Sequence, residues 1–162
     1  MILYHGSNVV VKKPEILQSG RMLDFGTGFY TTSNKEQAIR WAEKVSVRRE
    51  PKNQVLSIYE IDFGAAKKEL EIIHFDAPNA EWLDFVCNNR CGRKTVTPYD
   101  IVIGPVADDK VYSVIQFYEN GVYNREDAIK RLKVEGLYNQ ILFHTEKALM
   151  HCHFTKFERL EA

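Results

Sequence analysis

Asp24-Phe25-Gly26-Thr27-Gly28-Phe29-Tyr30-Thr31-Thr32 is the stretch from which the fold is read. Gly26 and Gly28 flank one residue and permit backbone angles and close approaches that a side chain forbids. Phe29 to Thr32 is a short run of β-favouring residues. Ser33-Asn34 then reads as a helix cap, and Lys35 to Val47 carries helical spacing at Ala38, Ile39, Ala42 and Val45. The order is loop, strand, cap, helix. It delivers Tyr30 to a place where backbone can come close to a flat ligand. An ordinary strand entering a helix has the same order, so the stretch acquires meaning only beside a second one.

Outward from this stretch the chain alternates strands and helices without a regular repeat. Pro14 begins a short helix through Ile16-Leu17 that ends near Ser19-Gly20. Arg49-Glu50-Pro51-Lys52-Asn53 is a polar loop at an exposed edge. Val55 to Phe63 has two largely apolar faces and reads as a central strand. Gly64-Ala65-Ala66 turns the chain, and Leu70 to Phe75 is another strand. Pro78 starts a helix to about Asn89 that buries Trp82, Phe85 and Val86. Cys91 to Tyr99 is loop-like, and the apolar run Tyr99 to Val106 is a buried strand bounded by Gly104-Pro105. Asp108-Asp109 caps a helix to about Asn120, closed by Gly121. Asn124 caps another from Arg125 to Lys133, and Gly136 ends that region. Leu137 to Phe143 is a strand, Thr145 to Met150 a helical turn, and His151 to Leu160 a final edge strand. With no linker or repeat, residues 1–162 read as one domain of α+β class.

Composition narrows the functional classes. The chain is 44% hydrophobic and 27% charged, with 22 basic residues against 22 acidic ones and a formal net charge of zero. That balance exerts no global pull on nucleic acid or anionic membrane. No apolar run approaches a membrane span, and the opening residues lack a signal-peptide pattern. Three cysteines without framework spacing suit a reducing cytoplasm. Cys87 and Cys91 stand one helical turn apart, which suits either a zinc site completed by Cys152 and its flanking histidines or a pair of ordinary thiols. No metal is assigned.

The second informative stretch is the opening, Ile2-Leu3-Tyr4-His5-Gly6-Ser7. Ile2 to His5 reads as a buried strand broken by Gly6-Ser7. A histidine there can present both a ring and backbone hydrogen-bonding groups. Taken together, Leu3-Tyr4-His5-Gly6-Ser7 and Phe25-Gly26-Thr27-Gly28-Phe29-Tyr30-Thr31-Thr32 resemble the first two signature motifs of the ADP-ribosyltransferase superfamily. The similar branch carries a His-Tyr-Glu triad and includes poly(ADP-ribose) polymerases and diphtheria toxin. The chain also resembles, over most of its length, a small bacterial family of unknown function allied to those enzymes. The resemblance implies a split antiparallel sheet core that holds NAD in a bent pose. It implies that His5 meets a ribose hydroxyl, that the Gly6 backbone holds the nicotinamide carboxamide, that Ser7 helps with the adjoining ribose, and that Tyr30 lies along the nicotinamide ring. A second aromatic in that branch maps to Trp41, which also suits a core position. A serine that contacts the carboxamide maps to Ala38.

The third motif departs from the pattern. The family places Glu at the start of a late strand; the matching stretch is Asn139-Gln140-Ile141-Leu142-Phe143, so the aligned residue is Gln140. As nicotinamide leaves, the ribose becomes oxocarbenium-like, and a carboxylate offsets that charge and can take a proton. Gln140 can hydrogen-bond but is neutral. Chain elongation is therefore not expected, whereas mono-transfer is compatible with a neutral residue when the acceptor brings a carboxylate. Glu146 reads as a surface residue and Asp24 as a turn residue. The resemblance thus implies a cytoplasmic mono-ADP-ribosyltransferase with His5, Tyr30 and Gln140 as its catalytic series and NAD as substrate. Its acceptor would be a protein or a nucleic acid, and its partner an antitoxin if it is the toxic half of a toxin–antitoxin or phage-defence pair. The alternatives are a non-catalytic NAD or ADP-ribose binding module and an NAD glycohydrolase.

Overall fold

Short strands and mostly amphipathic helices alternate along the chain and pair into two sheets. The computed structural model describes residues 1–16, 23–92, 98–106, 109–132 and 139–161. In order these form β1 (Ile2–Ser7), β2 (Phe29–Thr31), α1 (Lys35–Arg48), β3 (Val55–Glu60), α2 (Phe63–Ala66), β4 (Ile72–His74), α3 (Ala80–Arg90), β5 (Ile101–Pro105), α4 (Asp109–Glu119), α5 (Arg125–Leu132), β6 (Asn139–Phe143), α6 (Glu146–Leu149) and β7 (His153–Arg159). The class is α+β, as the sequence predicts. One sheet has the order β1-β3-β7 and the other β2-β6-β5-β4. β3 is central and β7 lies at an edge, both as expected. Pairing is antiparallel except between β4 and β5, which run parallel. The chain returns between those two through α3, the kind of crossover a parallel pair requires.

Local signals explain most boundaries. The Asn34 side chain accepts from the Gln37 N–H at 3.0 Å and opens α1. Thr145 does the same for α6 through the Ala148 N–H at 3.1 Å. Asn79, rather than Pro78, caps α3 by accepting from the Trp82 N–H at 2.9 Å. β1 does not break at Gly6: Gly6 and Ser7 stay in register with Leu56 and Val55 of β3, so partner pairing overrides the local glycine signal. Residues 14–16 are irregular. The rest of the helix expected through Ser19-Gly20 lies outside the described residues, as do Asp108 of the expected cap, Gly136 and the first two residues of the 137–143 run.

Three apolar clusters stack these elements in layers. α1 packs on the three-stranded sheet through Ala38 against Leu56 and Ile58. The two sheets face each other across Leu3, Phe29, Tyr59, Ile101, Ile141 and Phe143. The far face of the four-stranded sheet, with Val102 and Leu142, packs on Trp82, Leu83 and Val86 of α3, Val111 and Ile115 of α4, and Leu132 of α5. Among the described residues no helix is long and apolar enough to cross a membrane.

Candidate functional site

β2 joins the two sheets, and the joint is where the two glycine-bearing stretches meet. Tyr4 and Thr32 exchange both backbone hydrogen bonds, at 2.8 and 3.0 Å. In a continued antiparallel ladder the next such pair would be Gly6 with Tyr30. Instead the His5 ring turns into that place, and its Nδ1 lies 2.8 Å from the Tyr30 carbonyl oxygen. The ring packs on Phe29, with centroids 4.6 Å apart. The ladder therefore opens after Tyr4. Peptide groups on alternate residues of a strand point the same way, so the N–H and C=O of Gly6 point into the opening as those of Tyr4 point at Thr32. Gly6 is buried. Among the described residues nothing hydrogen-bonds to this donor–acceptor pair.

Gly6 also fixes how closely α1 lies on β1. A Cβ at Gly6 would stand 1.9 Å from the Ala38 carbonyl oxygen and 2.8 Å from the Ala42 nitrogen, so only hydrogen fits. Ser7 follows, buried, in register with Val55. Burial lowers the pKa of His5 below its ordinary value, against the opposing effect of the Tyr30 carbonyl. The ring is therefore neutral at pH 7. A carbonyl neighbour at Nδ1 requires that nitrogen to carry the proton, which leaves Nε2 as an acceptor.

Strand alternation sends Tyr30 and Gln140 to the other face of the four-stranded sheet. Phe29, beside His5, belongs to the core between the sheets, whereas Tyr30 packs with the helix-side cluster around Leu142. The Tyr30 hydroxyl donates to the Gly26 carbonyl at 2.7 Å and accepts from the Phe25 N–H at 3.3 Å. The glycine loop is thus closed on its own tyrosine. Burial first, and the Asp24 charge second, raise the Tyr30 pKa, so the phenol stays protonated. Gly26 has φ +86°, and a Cβ at Gly28 would stand 2.4 Å from the Phe143 carbonyl oxygen. The pair therefore serves to curl this loop tightly onto β6.

Gln140 is buried at 8% exposure. Its Nε2 donates to Asp24 Oδ2 at 3.4 Å and to the Pro105 carbonyl at 3.3 Å. Asp24, 9% exposed, is no simple turn residue. Its Oδ1 accepts from Arg90 Nε at 2.7 Å and also from Arg90 Nη2. The Arg90 guanidinium in turn covers the Tyr112 ring at 4.5 Å. Asn89 Nδ2 donates to the Asp24 backbone carbonyl at 3.2 Å. His144 stands beside the loop, with its Nε2 buried and without a hydrogen-bond partner among the described residues. Burial lowers its pKa, more than the nearby Thr27 and Phe25 backbone and Asp100 raise it.

Of the residues singled out from sequence, His5, Gly6 and Tyr30 meet at the β1–β2 opening, and Gln140 meets Tyr30 through Asp24. His5 and Gln140 project from opposite faces. Trp41 is 53% exposed on α1, which overturns its core reading. Glu146 lies exposed in the first turn of α6. Among the described residues no group of His, Cys, Asp and Glu could hold a metal. Cys87 and Cys152 are ordinary thiols whose pKa burial pushes up to about 12. A cavity of about 510 Å³, lined by Met1, Glu60, Asp62, Phe63 and His153, lies at the other end of β1 from Gly6. Sequence reading missed Arg90 and underrated Asp24. Asp24 directly precedes the glycine stretch, but its partners come from residues 90 and 140, and no local pattern joins them.

A family model described as "Protein of unknown function (DUF3990)" matches residues 1–154. No curated protein and no solved structure matches the chain.

Proposed function

The chain belongs to the DUF3990 family of proteins of unknown function, and we propose that it binds NAD at the β1–β2 opening and transfers ADP-ribose to a macromolecular acceptor with release of nicotinamide. The observation that carries this reading is the unpaired peptide donor and acceptor of Gly6 in a buried opening. A buried peptide group without a partner is costly, and a primary carboxamide offers the complementary acceptor and donor in one plane. Nicotinamide carries such a group. His5 supports the reading because its neutral ring leaves Nε2 as an acceptor for a ribose hydroxyl. Tyr30 stands across the opening from Gly6, and Trp41 stands exposed one helical turn after Ala38, the residue that touches Gly6.

In the reaction the bond between ribose C1′ and the nicotinamide nitrogen breaks, and its electron pair goes to that nitrogen, which becomes neutral. The oxocarbenium left at C1′ takes a lone pair from the acceptor, which loses one proton. Gln140 can hold a ribose hydroxyl but cannot take that proton, which favours single transfer to an acceptor that brings its own base. The family resemblance adds a cellular setting, the toxic half of a toxin–antitoxin or phage-defence pair in the cytoplasm, with an antitoxin as partner. A second reading rests on the same neutral Gln140: a module that holds NAD or ADP-ribose without turnover.

Calorimetric titration with NAD, followed by assay of free nicotinamide in the same sample, separates these. Binding with release is expected. Binding without release, even with candidate acceptors added, favours the module. Absence of binding overturns both.

A further inference from the structure

We propose that Asp24 and Gln140 divide between them the work of one active-site carboxylate: Gln140 presents the hydrogen-bond acceptor, and Asp24 fixes and polarises it. This deepens the NAD-dependent reading and rests on it.

The argument starts from what surrounds the Gln140 amide. Both neighbours of its Nε2, the Asp24 carboxylate and the Pro105 carbonyl, are acceptors only. The nitrogen must face them, because the reversed amide would bring three oxygens together. Pro105 is itself held, since its carbonyl also accepts from Trp82 Nε1 at 3.2 Å. Both amide hydrogens are thereby used, and Oε1 is turned away from both partners as an acceptor. Among the described residues no donor reaches it. Asp24 is fixed in the same way: Arg90 engages Oδ1 and leaves Oδ2 for Gln140. A hydrogen bond to a carboxylate pushes electron density toward the amide oxygen and makes Oε1 a stronger acceptor. Such an oxygen can hold a ribose hydroxyl while positive charge grows on the ring. Asp24 acts through Gln140 and is a positioning residue.

This arrangement also reverses the expectation that a glutamate at 140 would improve the site. Gln140→Glu sets a carboxylate against the Asp24 carboxylate and the Pro105 carbonyl, with no hydrogen to share. Replacing Asp24 by Asn in the same chain supplies that hydrogen and moves the charge from the loop to β6.

The test measures nicotinamide release at saturating NAD, NAD affinity and thermal midpoint for wild type, Asp24→Asn, Gln140→Glu and the double variant. Asp24→Asn should keep NAD affinity within about threefold and lower the rate at saturation by about tenfold or more, the scale of one charged hydrogen bond. Gln140→Glu should lower both thermal midpoint and rate. The double variant should recover both, a non-additive outcome. The inference is overturned if Gln140→Glu alone is as stable and active as wild type, or if the two substitutions add. It is also overturned if Asp24→Asn lowers affinity and midpoint while leaving the rate at saturation intact. In each of these cases wild-type cleavage still stands, and the NAD reading survives. Wild-type protein that neither binds nor cleaves NAD removes that reading, and this assignment with it.

Discussion

The opening beside Gly6 and the cluster around Asp24 lie on either side of β2 and are made of different material. The opening consists of backbone and neutral rings: the Gly6 peptide, the His5 imidazole and the Tyr30 carbonyl. The cluster consists of charge: Asp24 and Arg90, with Gln140 and Tyr112 beside them. The first arises from residues adjacent in sequence and is maintained by strand pairing. The second gathers residues 24, 90 and 140 and is maintained by an ion pair between largely buried partners. Ligand contact should therefore be most sensitive to shape in the one and to charge in the other.

The largest expected effect breaks the charged side. Asp24→Ala removes the partner of Arg90, whose side chain is only 17% exposed, and also strips Gln140 of one acceptor. Leaving one member of such a pair uncompensated costs about 3–5 kcal/mol. Urea denaturation should show that loss with little change in m. A loss under 1 kcal/mol would mean that Arg90 finds water, and that the cluster is an ordinary surface pair.

Gly6→Ala breaks the other side by shape alone. The added methyl would stand 1.9 Å from the Ala38 carbonyl oxygen, which is backbone and cannot rotate away. α1 must lift from β1, at the roughly 1–3 kcal/mol typical of overpacking, and the opening must change with it. Both the unfolding midpoint and NAD affinity should fall together. Full stability in this variant would show that α1 does not rest on Gly6 in solution.

These two sites also differ in how far the sequence revealed them. His5-Gly6 and the Gly26–Thr32 stretch are contiguous, and each residue type has one dominant reason to be there. Strand, cap and helix could accordingly be read in order. The break expected at Gly6 was wrong because glycine's weak strand propensity is a local signal, whereas Leu56 on β3 is a tertiary partner. The Asp24–Arg90–Gln140 contact had no local trace. An aspartate before a glycine pair fits a turn equally well, and an arginine in the last turn of α3 is commonplace at a helix C-terminus. Even the parity that puts His5 and Gln140 on opposite faces depended on where β2 pairs.

Trp41 sharpens the comparison at small energetic cost. It stands 53% exposed, so Trp41→Ala should change stability by no more than about 0.5 kcal/mol. If it stacks on a ligand at the opening, NAD affinity should fall about three- to tenfold, the range of an aromatic pair worth roughly 0.5–1.5 kcal/mol. Unchanged affinity would confine the ligand to Gly6, His5 and Tyr30 and remove Trp41 from the site.

The smallest effect concerns protons. Burial holds both His5 and His144 below the ordinary histidine value of 6.5. Between the lowered value and 6.5 the unfolded chain binds more protons than the folded one, so stability rises with pH through that window. The contribution is complete above pH 6.5 and is lost as the pH falls below it. Thermal midpoints should therefore decline on the acid side of 6.5, and the decline should be shallower in His5→Gln and in His144→Gln. The slope is the informative quantity, because each substitution also moves the absolute midpoint. If only His5→Gln flattens it, the proton-sensitive element is the opening, and NAD should protect the wild type most strongly in that same window. If only His144→Gln does, the sensitivity belongs to the glycine loop on the charged side, and His5 is more accessible than its packing on Phe29 implies.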